Sequence, residues 1–493
     1  MYEPERTAAE RVAGPPWILG HRGAPRECPE NTLISLRRAL ELGLDGVEYD
    51  LHACQSGEPV LIHDETLDRT TNRTGPVAQL SLTELVQVDA GAWFSPRFVG
   101  EPLPLFEEAL ELEGSGGRAH HMIELKDPTL VAGVARGLAR LARPLSVHVA
   151  SFHRSVCLEA RDAGLATMLL AEEASEEDRR FVRDEGITAY GTGPGGWYGS
   201  AGRAEWSCER WSWSVDDPQD LLDACRAPLL GFNTNEPRRA LATRALVRLA
   251  PDDRGAHPLG LPRLEVARGA DGDAEAPAGE WTGRWEVELG VRNPFPFPVQ
   301  AALALELRGG AFQTGELPSS FGLDPRAERR VPLSIHGGSW SPIEDPLVLL
   351  RLAWRRGRVQ ENLVLDGPLE RVRTLELGAG AERLRLLRES PGDRPATMIV
   401  RRRGRELLAW VEDAGGLEEV HALIRVGARV RRGRRAVRIR LPEEPDPRGL
   451  LFSVGFEGSR AGGRGSSLRR WCGGLPYGLG AGAPGRLLLA GRA

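Results

Sequence analysis

Two acidic residues, Glu48 and Asp50, lie two positions apart in the segment GVEYDLH. They alternate with Val47, Tyr49 and Leu51, and successive side chains of a β-strand point to opposite faces. Both carboxylates are therefore expected on one face. Two carboxylates on a buried face repel each other and are costly to desolvate unless a cation joins them. The pattern predicts a cation site, although an isolated acid-x-acid pattern is more often the water-facing side of a strand.

Three more apolar runs end in ionisable residues. HMIELKDP places Glu124 and Lys126 on one face of a strand, and the runs WILGHRG and VLIHDE end at His21 and His63. A single histidine in such a place is more often structural. Four such strand ends together indicate a catalytic face, because barrel enzymes carry their sites at the carboxyl ends of the strands. Histidine there could transfer protons.

Lys126 is the only lysine among the 64 basic residues of the chain. Its ammonium is a compact charge on a flexible stem, whereas the guanidinium of arginine is a flat fork. A site that needs a compact charge would explain the choice. On this fact alone, an accident of an arginine-biased composition is the better explanation.

Strand and helix patterns alternate in the first half of the chain. WILGHRG is followed by ENTLISLRRALELG, and the alternation continues to LLGFN and PRRALATRALVRLA. Alternation over roughly 235 residues predicts a parallel sheet, and this length suits an α/β TIM (β/α)8 barrel.

The composition changes after Pro251, where Gly, Pro and small acidic residues precede short alternating segments such as RWEVELGVRN. This pattern predicts a linker and then two all-β sandwich domains after the barrel. The predicted boundaries are an N-terminal tail at 1–14, the barrel domain at 15–252, a linker at 253–280, a β-sandwich at 281–370 and a second β-rich domain with a glycine-rich tail at 371–493. The segment GVRNPFPFPVQAALALEL resembles the opening of immunoglobulin-like modules, and the block with LLAWVEDAG resembles carbohydrate-binding β-sandwiches.

An arginine cluster, RVRRGRRAVRIR, lies in the last of these domains. It predicts a hairpin around Gly433 with arginines on its exposed face. A solvated strand face is the favoured interpretation. Contact with anionic lipid headgroups or acidic glycans is the alternative, since clustered arginine pairs well with phosphate and carboxylate.

The bulk properties limit the classes of function. A net charge of −5 and a pI near 6.1 give no reason to expect nucleic acid as a partner. The six cysteines are scattered and never form CxxC, which argues against zinc and a disulfide framework. No signal peptide and no transmembrane segment are visible in the sequence, so a cytoplasmic location is expected, or an extracytoplasmic one if the start site is misassigned.

The first half contains HRGAPRECPENTL, GVEYDLHACQSGEPVLIHDETLDRTTNRTG, GAWFSPRFVGEPLPLFEEAL, MIELK, ASF, RWSWSVDDP and GFNTNEP in this order. As an ordered set over residues 15 to 250, these segments closely resemble the glycerophosphodiester phosphodiesterases. The resemblance implies a (β/α)8 barrel that hydrolyses glycerophosphodiesters, its small-molecule substrates, to glycerol 3-phosphate and an alcohol.

The resemblance also implies roles for individual residues. It places metal ligands at Glu48, Asp50 and Glu124, catalytic histidines at His21 and His63, and phosphate-binding cations at Arg22 and Lys126. We assign His21 as the base and His63 as the acid. The positions of Glu30, Asn31 and Trp213 suggest a second layer or pocket, although a tryptophan such as Trp213 is more often part of the core. Asn31 is equally readable as a helix cap. Three carboxylates are hard oxygen ligands, which suit one divalent cation, Mg²⁺ or Ca²⁺.

Two alternatives remain at this point. One is a phospholipase D-like or cyclising phosphodiesterase that acts on lysophospholipids or sphingolipids with the same barrel. The other is a non-catalytic protein that binds glycans or lipid headgroups and uses the barrel as a scaffold.

Overall fold

A computed structural model of the protein divides into two compact units, Met1–Leu249 and Ala250–Ala493. The structure describes residues 15–113, 119–141, 145–198, 205–216, 218–249, 263–266, 283–293, 295–306, 312–315, 317–318, 320–337, 347–356, 359–368, 370–375, 381–386, 396–403, 406–413, 417–426, 429–440, 450–460, 467–472 and 486–489. The predicted N-terminal tail and most of the predicted linker and glycine-rich tail lie outside these residues.

Eight parallel strands of the first unit close into a barrel. The first-unit strands are β1 (Trp17–His21), β2 (Gly46–Ala53), β3 (Pro59–Leu61), β4 (His120–Leu125), β5 (Ser146–Ser151), β6 (Thr167–Ala171), β7 (Ala189–Thr192), β8 (Glu209–Ser212) and β9 (Gly231–Thr234). All except β3 run parallel in the order β1-β9-β8-β7-β6-β5-β4-β2, and β2 pairs with β1 to close the ring. The predicted (β/α)8 barrel is confirmed.

Helices follow most of the barrel strands. They are α1 (Leu33–Glu41), α2 (Leu82–Leu85), α3 (Phe106–Leu110), α4 (Val131–Ala139), α5 (Arg154–Asp162), α6 (Glu176–Asp184), α7 (Pro218–Arg226) and α8 (Pro237–Leu249), with 3-10 turns at Val77–Gln79, Pro96–Phe98, Pro128–Leu130 and Pro194–Tyr198. Helix α1 begins after Thr32, whose side chain accepts a hydrogen bond from the Ser35 N–H. Its buried residues Leu36, Ala39 and Leu40 recur at helical spacing, so one face of α1 turns toward the strands.

The apolar face of β2 fixes the direction of its acids. Val47, Tyr49 and Leu51 are fully buried in a cluster that includes Leu36 of α1 and Phe106 of α3. Burial of each such side chain contributes about 1.5–3 kcal/mol. Because strand side chains alternate, Glu48 and Asp50 must point into the barrel, as the sequence predicts.

The run that ends at His63 is not a barrel strand, and this part of the prediction is wrong. Strand β3 is antiparallel to β2, with Leu61 opposite Leu51. The chain reverses through a turn at Gly57, whose φ of 90° suits glycine. The Ile62 N–H then donates to the Asp50 carbonyl at 3.1 Å. The reversal therefore returns the chain to the level of Asp50, and His63 reaches the same end of the barrel by another route.

Within its described residues, the second unit is all-β. Its strands are β10 (Arg263–Val266), β11 (Gly283–Arg292), β12 (Val299–Glu306), β13 (Phe312–Thr314), β14 (Phe321–Leu323), β15 (Glu328–Gly337), β16 (Leu347–Arg356), β17 (Val359–Pro368), β18 (Glu370–Leu375), β19 (Ala381–Leu386), β20 (Ala396–Arg403), β21 (Glu406–Asp413), β22 (Leu417–Val426), β23 (Arg429–Arg434), β24 (Ala436–Arg440), β25 (Leu450–Arg460), β26 (Ser467–Cys472) and β27 (Arg486–Leu489).

These strands form three sheets. Two have four strands each, in the orders β14-β12-β16-β17 and β19-β20-β21-β24. The third joins strands from both predicted sandwich domains, because β10 pairs with β18 as well as β11. The division into two sandwiches at residue 370 stays a prediction.

The arginine cluster does not form the hairpin predicted around Gly433. Strand β23 pairs with β22, and β24 pairs with β21. The chain changes sheets at Arg435, which has a left-handed φ of 54°. The cluster therefore contributes to two sheets rather than to one ribbon.

Among the residues that the structure describes, no helix is both long and apolar enough to cross a membrane.

Strand packing gives a direct test of the barrel. A Cβ at Gly46 would lie 2.1 Å from the carbonyl oxygen of His120 on the neighbouring strand. We expect Gly46→Ala to lower the free energy of unfolding by about 1–3 kcal/mol, because the backbone must shift. Urea unfolding followed by tryptophan fluorescence measures the change.

Gly133 in α4 supplies the matched control, since the nearest atom to its Cβ position is 3.9 Å away. Gly133→Ala should be neutral or stabilise the protein by up to about 1 kcal/mol. Equal stabilities for the two variants would contradict the close approach of β2 and β4.

Candidate active site

Three carboxylates meet at the carboxyl ends of neighbouring barrel strands. The register sets His21 of β1 beside Glu48 of β2, and Asp50 of β2 beside Glu124 of β4. Carboxylate oxygens of Glu48, Asp50 and Glu124 all lie within 4.8 Å of one another. Their side chains are largely buried. The structure thus brings together the three residues that the sequence predicts as metal ligands.

Of the three carboxylates, Asp50 has the most contacts with positively charged side chains. Lys126 Nζ lies 2.8 Å from Asp50 Oδ1 and also contacts Glu124, and Arg22 Nε lies 3.2 Å from Asp50 Oδ2. Burial raises the pKa of Asp50, but Lys126 and Arg22 hold it well below its ordinary value. Burial lowers the pKa of Lys126, but Asp50 and Glu124 raise it above its ordinary value. Asp50 and Lys126 are therefore both charged at neutral pH.

Fewer contacts offset the negative charge of Glu48. Its Oε2 accepts from the Arg22 N–H at 2.9 Å, while its Oε1 is buried without a hydrogen-bond partner in the described part of the chain. Burial, followed by the charges of Asp50 and Glu124, raises the pKa of Glu48 well above its ordinary value. The buried Glu48 oxygen and the carboxylates of Asp50 and Glu124 together form a set of oxygen ligands that fits a divalent cation.

The loop after β1 holds the site through two residues in the left-handed region. Arg22 and Asn31 have φ values of 56° and 54°, and the Asn31 N–H donates to the Arg22 carbonyl at 3.1 Å. Asn31 Nδ2 donates to Asp50 Oδ2 at 2.9 Å, and the Asp50 N–H donates to Asn31 Oδ1 at 3.2 Å. The cap of α1 is Thr32, so Asn31 is not the helix cap: it fixes Asp50. A left-handed arginine costs about 1–3 kcal/mol, a strain typical of functional sites.

His21 is oriented by an amide. Its Nδ1 lies 2.8 Å from Asn235 Oδ1, and Asn235 Nδ2 donates to Asp216 Oδ2 at 2.7 Å. Because Asp216 takes the NH₂ group, the amide oxygen must accept from the His21 Nδ1–H, which leaves the lone pair on Nε2. Nε2 lies 3.8 Å from Glu48 Oε2. Burial and then the charge of Arg22 lower the pKa of His21 to about 3.

Sequence reasoning missed Asn235 and Asp216. Asp216 also accepts from the Thr234 hydroxyl at 3.0 Å and the Asn235 N–H at 2.7 Å. The sequence signal that identifies His21, a polar residue at the carboxyl end of a barrel strand, also applies to these two residues. Asp216 follows β8, and Asn235 follows β9. Burial raises the pKa of Asp216 above its ordinary value.

His63 is oriented by a carboxylate. Its Nδ1 lies 2.7 Å from Asp64 Oδ1, and its carbonyl oxygen accepts from His52 Nε2 at 3.0 Å. Its side chain is 36% exposed. The two histidines therefore differ, since one is deeply buried against a neutral amide and the other is accessible and paired with an acid.

Glu30 contacts two arginines, and Trp213 contacts an aromatic ring; their predicted supporting roles stay predictions. Glu30 accepts from Arg22 Nη1 at 2.8 Å, and two hydrogen bonds of 2.8 and 2.9 Å join it to Arg69. Trp213, just after β8, meets Phe152, just after β5, edge to face with ring centroids 5.1 Å apart. Phe152 is 41% exposed. This aromatic pair spans from β5 to β8 at the carboxyl end of the barrel.

Comparison with known proteins finds relatives of the barrel. Residues 21–136 match the glycerophosphoryl diester phosphodiesterase family. A glycerophosphodiester phosphodiesterase of Caldanaerobacter subterraneus subsp. tengcongensis is 45% identical over 97 residues, which are 20% of this chain and 40% of that protein. One of Bacillus subtilis is 30% identical over 197 residues, which are 36% of this chain and 67% of that protein.

One solved structure with sequence similarity to this chain is the following. A glycerophosphodiester phosphodiesterase from Agrobacterium tumefaciens is 27% identical, with a TM-score of 0.40 over 46% of this chain and 99% of that one.

Loss of one carboxylate tests the cation site. We expect Glu48→Gln to weaken Mg²⁺ or Ca²⁺ binding by at least about tenfold, since changes even outside the ligand set cost 10- to 100-fold. Isothermal titration calorimetry measures the affinity. Glu107→Gln removes an exposed carboxylate of α3 and is the matched control. Unchanged affinity in Glu48→Gln would show that the cation binds elsewhere.

Proposed function

The chain belongs to the glycerophosphoryl diester phosphodiesterase family, and on that premise we propose that its barrel hydrolyses glycerophosphodiesters to glycerol 3-phosphate and an alcohol. The observation that carries the proposal is the meeting of three buried carboxylates, two fixed cations and two histidines at one end of the barrel. Such groups are costly to bury together, and each of them has a role in hydrolysing a phosphodiester.

Charge stabilisation is the first requirement. Glu48, Asp50 and Glu124 would hold a divalent cation, which would supply Lewis-acid charge to the reaction. Arg22 and Lys126, which already contact Asp50, bind the phosphoryl oxygens and stabilise the charge that develops on them. Arg22 is fixed by Glu30, so it is preorganised rather than mobile.

Proton transfer is the second requirement. His21 presents the lone pair of Nε2 and acts as the base that takes a proton from the attacking hydroxyl, from water or from the glycerol 2-hydroxyl. His63, whose Nδ1 lies 2.7 Å from Asp64 Oδ1, acts as the acid that protonates the departing alcohol. The phosphorus–oxygen bond to the alcohol breaks as that proton arrives. Attack by the 2-hydroxyl gives a cyclic phosphate that water must open.

Release of glycerol 3-phosphate tests the proposal. We expect turnover of glycerophosphocholine and glycerophosphoethanolamine to stop after EDTA treatment and to return with Mg²⁺ or Ca²⁺. His63→Ala should reduce turnover by about 10²- to 10⁴-fold, the usual contribution of a positioned acid. An enzyme-coupled assay for glycerol 3-phosphate follows the reaction.

The same reaction distinguishes the alternatives. A cyclic phosphate as final product, detected by phosphorus NMR, would favour the cyclising reaction on lysophospholipids or sphingolipids. No turnover with the metal bound would favour the scaffold interpretation. The cytoplasmic location stays a prediction.

A second partner is suggested by one face of the sheet that contains β20, β21 and β24. Its register places Arg401 and Arg438 on either side of Leu408, and Arg403 and Arg440 on either side of Glu406. All four arginines are exposed, whereas Val400, Leu407 and Ile439 between them are buried on the other face. We propose that this arginine face contacts anionic lipid headgroups.

Vesicle sedimentation tests this contact. The variant with Arg401, Arg403, Arg438 and Arg440 changed to Gln should bind vesicles containing phosphatidylserine at least about tenfold more weakly, since each basic residue near the surface contributes about 1 kcal/mol. Neither protein should bind pure phosphatidylcholine. The control changes the exposed barrel residues Arg37, Arg73, Arg97 and Arg140 to Gln, with the same change in charge. Equal binding by the two variants would contradict the proposal, and binding to an acidic polysaccharide alone would favour the glycan alternative.

A further inference from the structure

Arg69 joins two carboxylates on adjacent edges of its guanidinium. Nε and Nη2 donate to Asp64 Oδ2 and Oδ1 at 2.7 and 3.0 Å. Nη1 and Nη2 donate to Glu30 Oε2 and Oε1 at 2.9 and 2.8 Å. Two bidentate contacts with one guanidinium fix its position more firmly than a single ion pair.

Each of these two carboxylates also contacts a residue that takes part in the proposed reaction. Asp64 Oδ1 lies 2.7 Å from His63 Nδ1, and Glu30 Oε1 lies 2.8 Å from Arg22 Nη1. The continuous chain of contacts is His63–Asp64–Arg69–Glu30–Arg22. Arg69 is the member that connects the proton donor to the phosphate-binding cation.

Burial indicates that the chain is structured rather than a solvated ion pair. The side chains of Glu30 and Arg69 are 4% and 24% exposed. Burial raises the pKa of Glu30, but Arg22 and Arg69 lower it to about 2. Burial likewise raises the pKa of Asp64, but hydrogen bonds from His63 and Arg69 lower it below its ordinary value. Both acids stay ionised at neutral pH and keep their hold on Arg69.

The loop that carries Arg69 is itself anchored. Leu67 is fully buried, and its N–H donates to the Gly75 carbonyl at 3.0 Å. The Thr71 hydroxyl donates to the Leu67 carbonyl at 2.7 Å. The loop therefore holds the backbone of Arg69, and the two carboxylates hold its side chain.

We propose that Arg69 is a positioning residue that holds His63 at a fixed distance from Arg22, so that the acid reaches the leaving alcohol while the phosphoryl group is bound. This inference rests on the proposed function. Lysine could not replace it, because a point charge cannot form two bidentate contacts.

The leaving group provides the test. The alcohol of glycerophosphocholine leaves as an alkoxide that needs a proton from His63, whereas the p-nitrophenyl diester of glycerol 3-phosphate releases p-nitrophenolate without one. We expect Arg69→Gln and Arg69→Lys to lower kcat for glycerophosphocholine by about 10- to 100-fold, a part of the full contribution of an acid. On the nitrophenyl diester the loss should stay below about threefold.

Two controls isolate the role. Arg73→Gln changes an exposed arginine of the same loop and should leave both substrates unaffected. Because Arg69 acts through Asp64, Asp64→Asn combined with Arg69→Gln should be no slower on glycerophosphocholine than Asp64→Asn alone, which is a non-additive result. Calorimetric metal affinity equal to that of the wild type shows that the variants are folded, and Arg69→Lys serves if Arg69→Gln does not fold.

The outcomes separate this inference from the proposed function. Equal losses on both substrates, or additive losses in the double variant, would overturn the role of Arg69 while the wild type still turns over. A wild type that hydrolyses neither substrate would overturn the proposed function, and this inference with it.

Discussion

Repulsion among three carboxylates inside a barrel is the constraint on which the site depends. Carboxylate oxygens of Glu48, Asp50 and Glu124 lie within 4.8 Å of one another, and burial removes the solvent that would screen their charges. Every neighbouring feature offsets this cost: Lys126 and Arg22 contact Asp50, the Arg22 N–H contacts Glu48, and the loop after β1 accepts a strained backbone to place that N–H. The buried carboxylates therefore account both for the proposed cation site and for the strained backbone of the loop after β1.

Local pattern predicted the parts of the fold that depend on local physics. The alternation of Val47, Tyr49 and Leu51 with acids gave both the strand and the inward direction of Glu48 and Asp50, since period two leaves no other arrangement. The direction of a short strand is different. An apolar run before His63 reads the same in a parallel barrel strand and in an antiparallel return strand, and only the pairing of Leu61 with Leu51 decides between them.

Contacts between distant residues explain the remaining errors. Asn31 precedes a helix and looks like its cap, but the cap is Thr32 and Asn31 bonds to Asp50, 19 positions along the chain. Asn235 lies 214 positions from His21, so nothing local joins them. The hairpin expected at Gly433 fails for a similar reason, because each half of the arginine segment finds a separate partner strand. A residue's type suggests what it can bind, while the closed barrel decides which partner is near.

Because the chain has a single lysine, reagents that modify amines can probe the site. Lys126 carries the only side-chain amine of the chain, and its carboxylate partners keep it protonated and hence a poor nucleophile. Acylating reagents would react with Lys126 only when its contacts with Asp50 and Glu124 are broken. The extent of acylation at one position would thus report local opening of the barrel's carboxyl end, without an introduced probe and without interference from any other lysine.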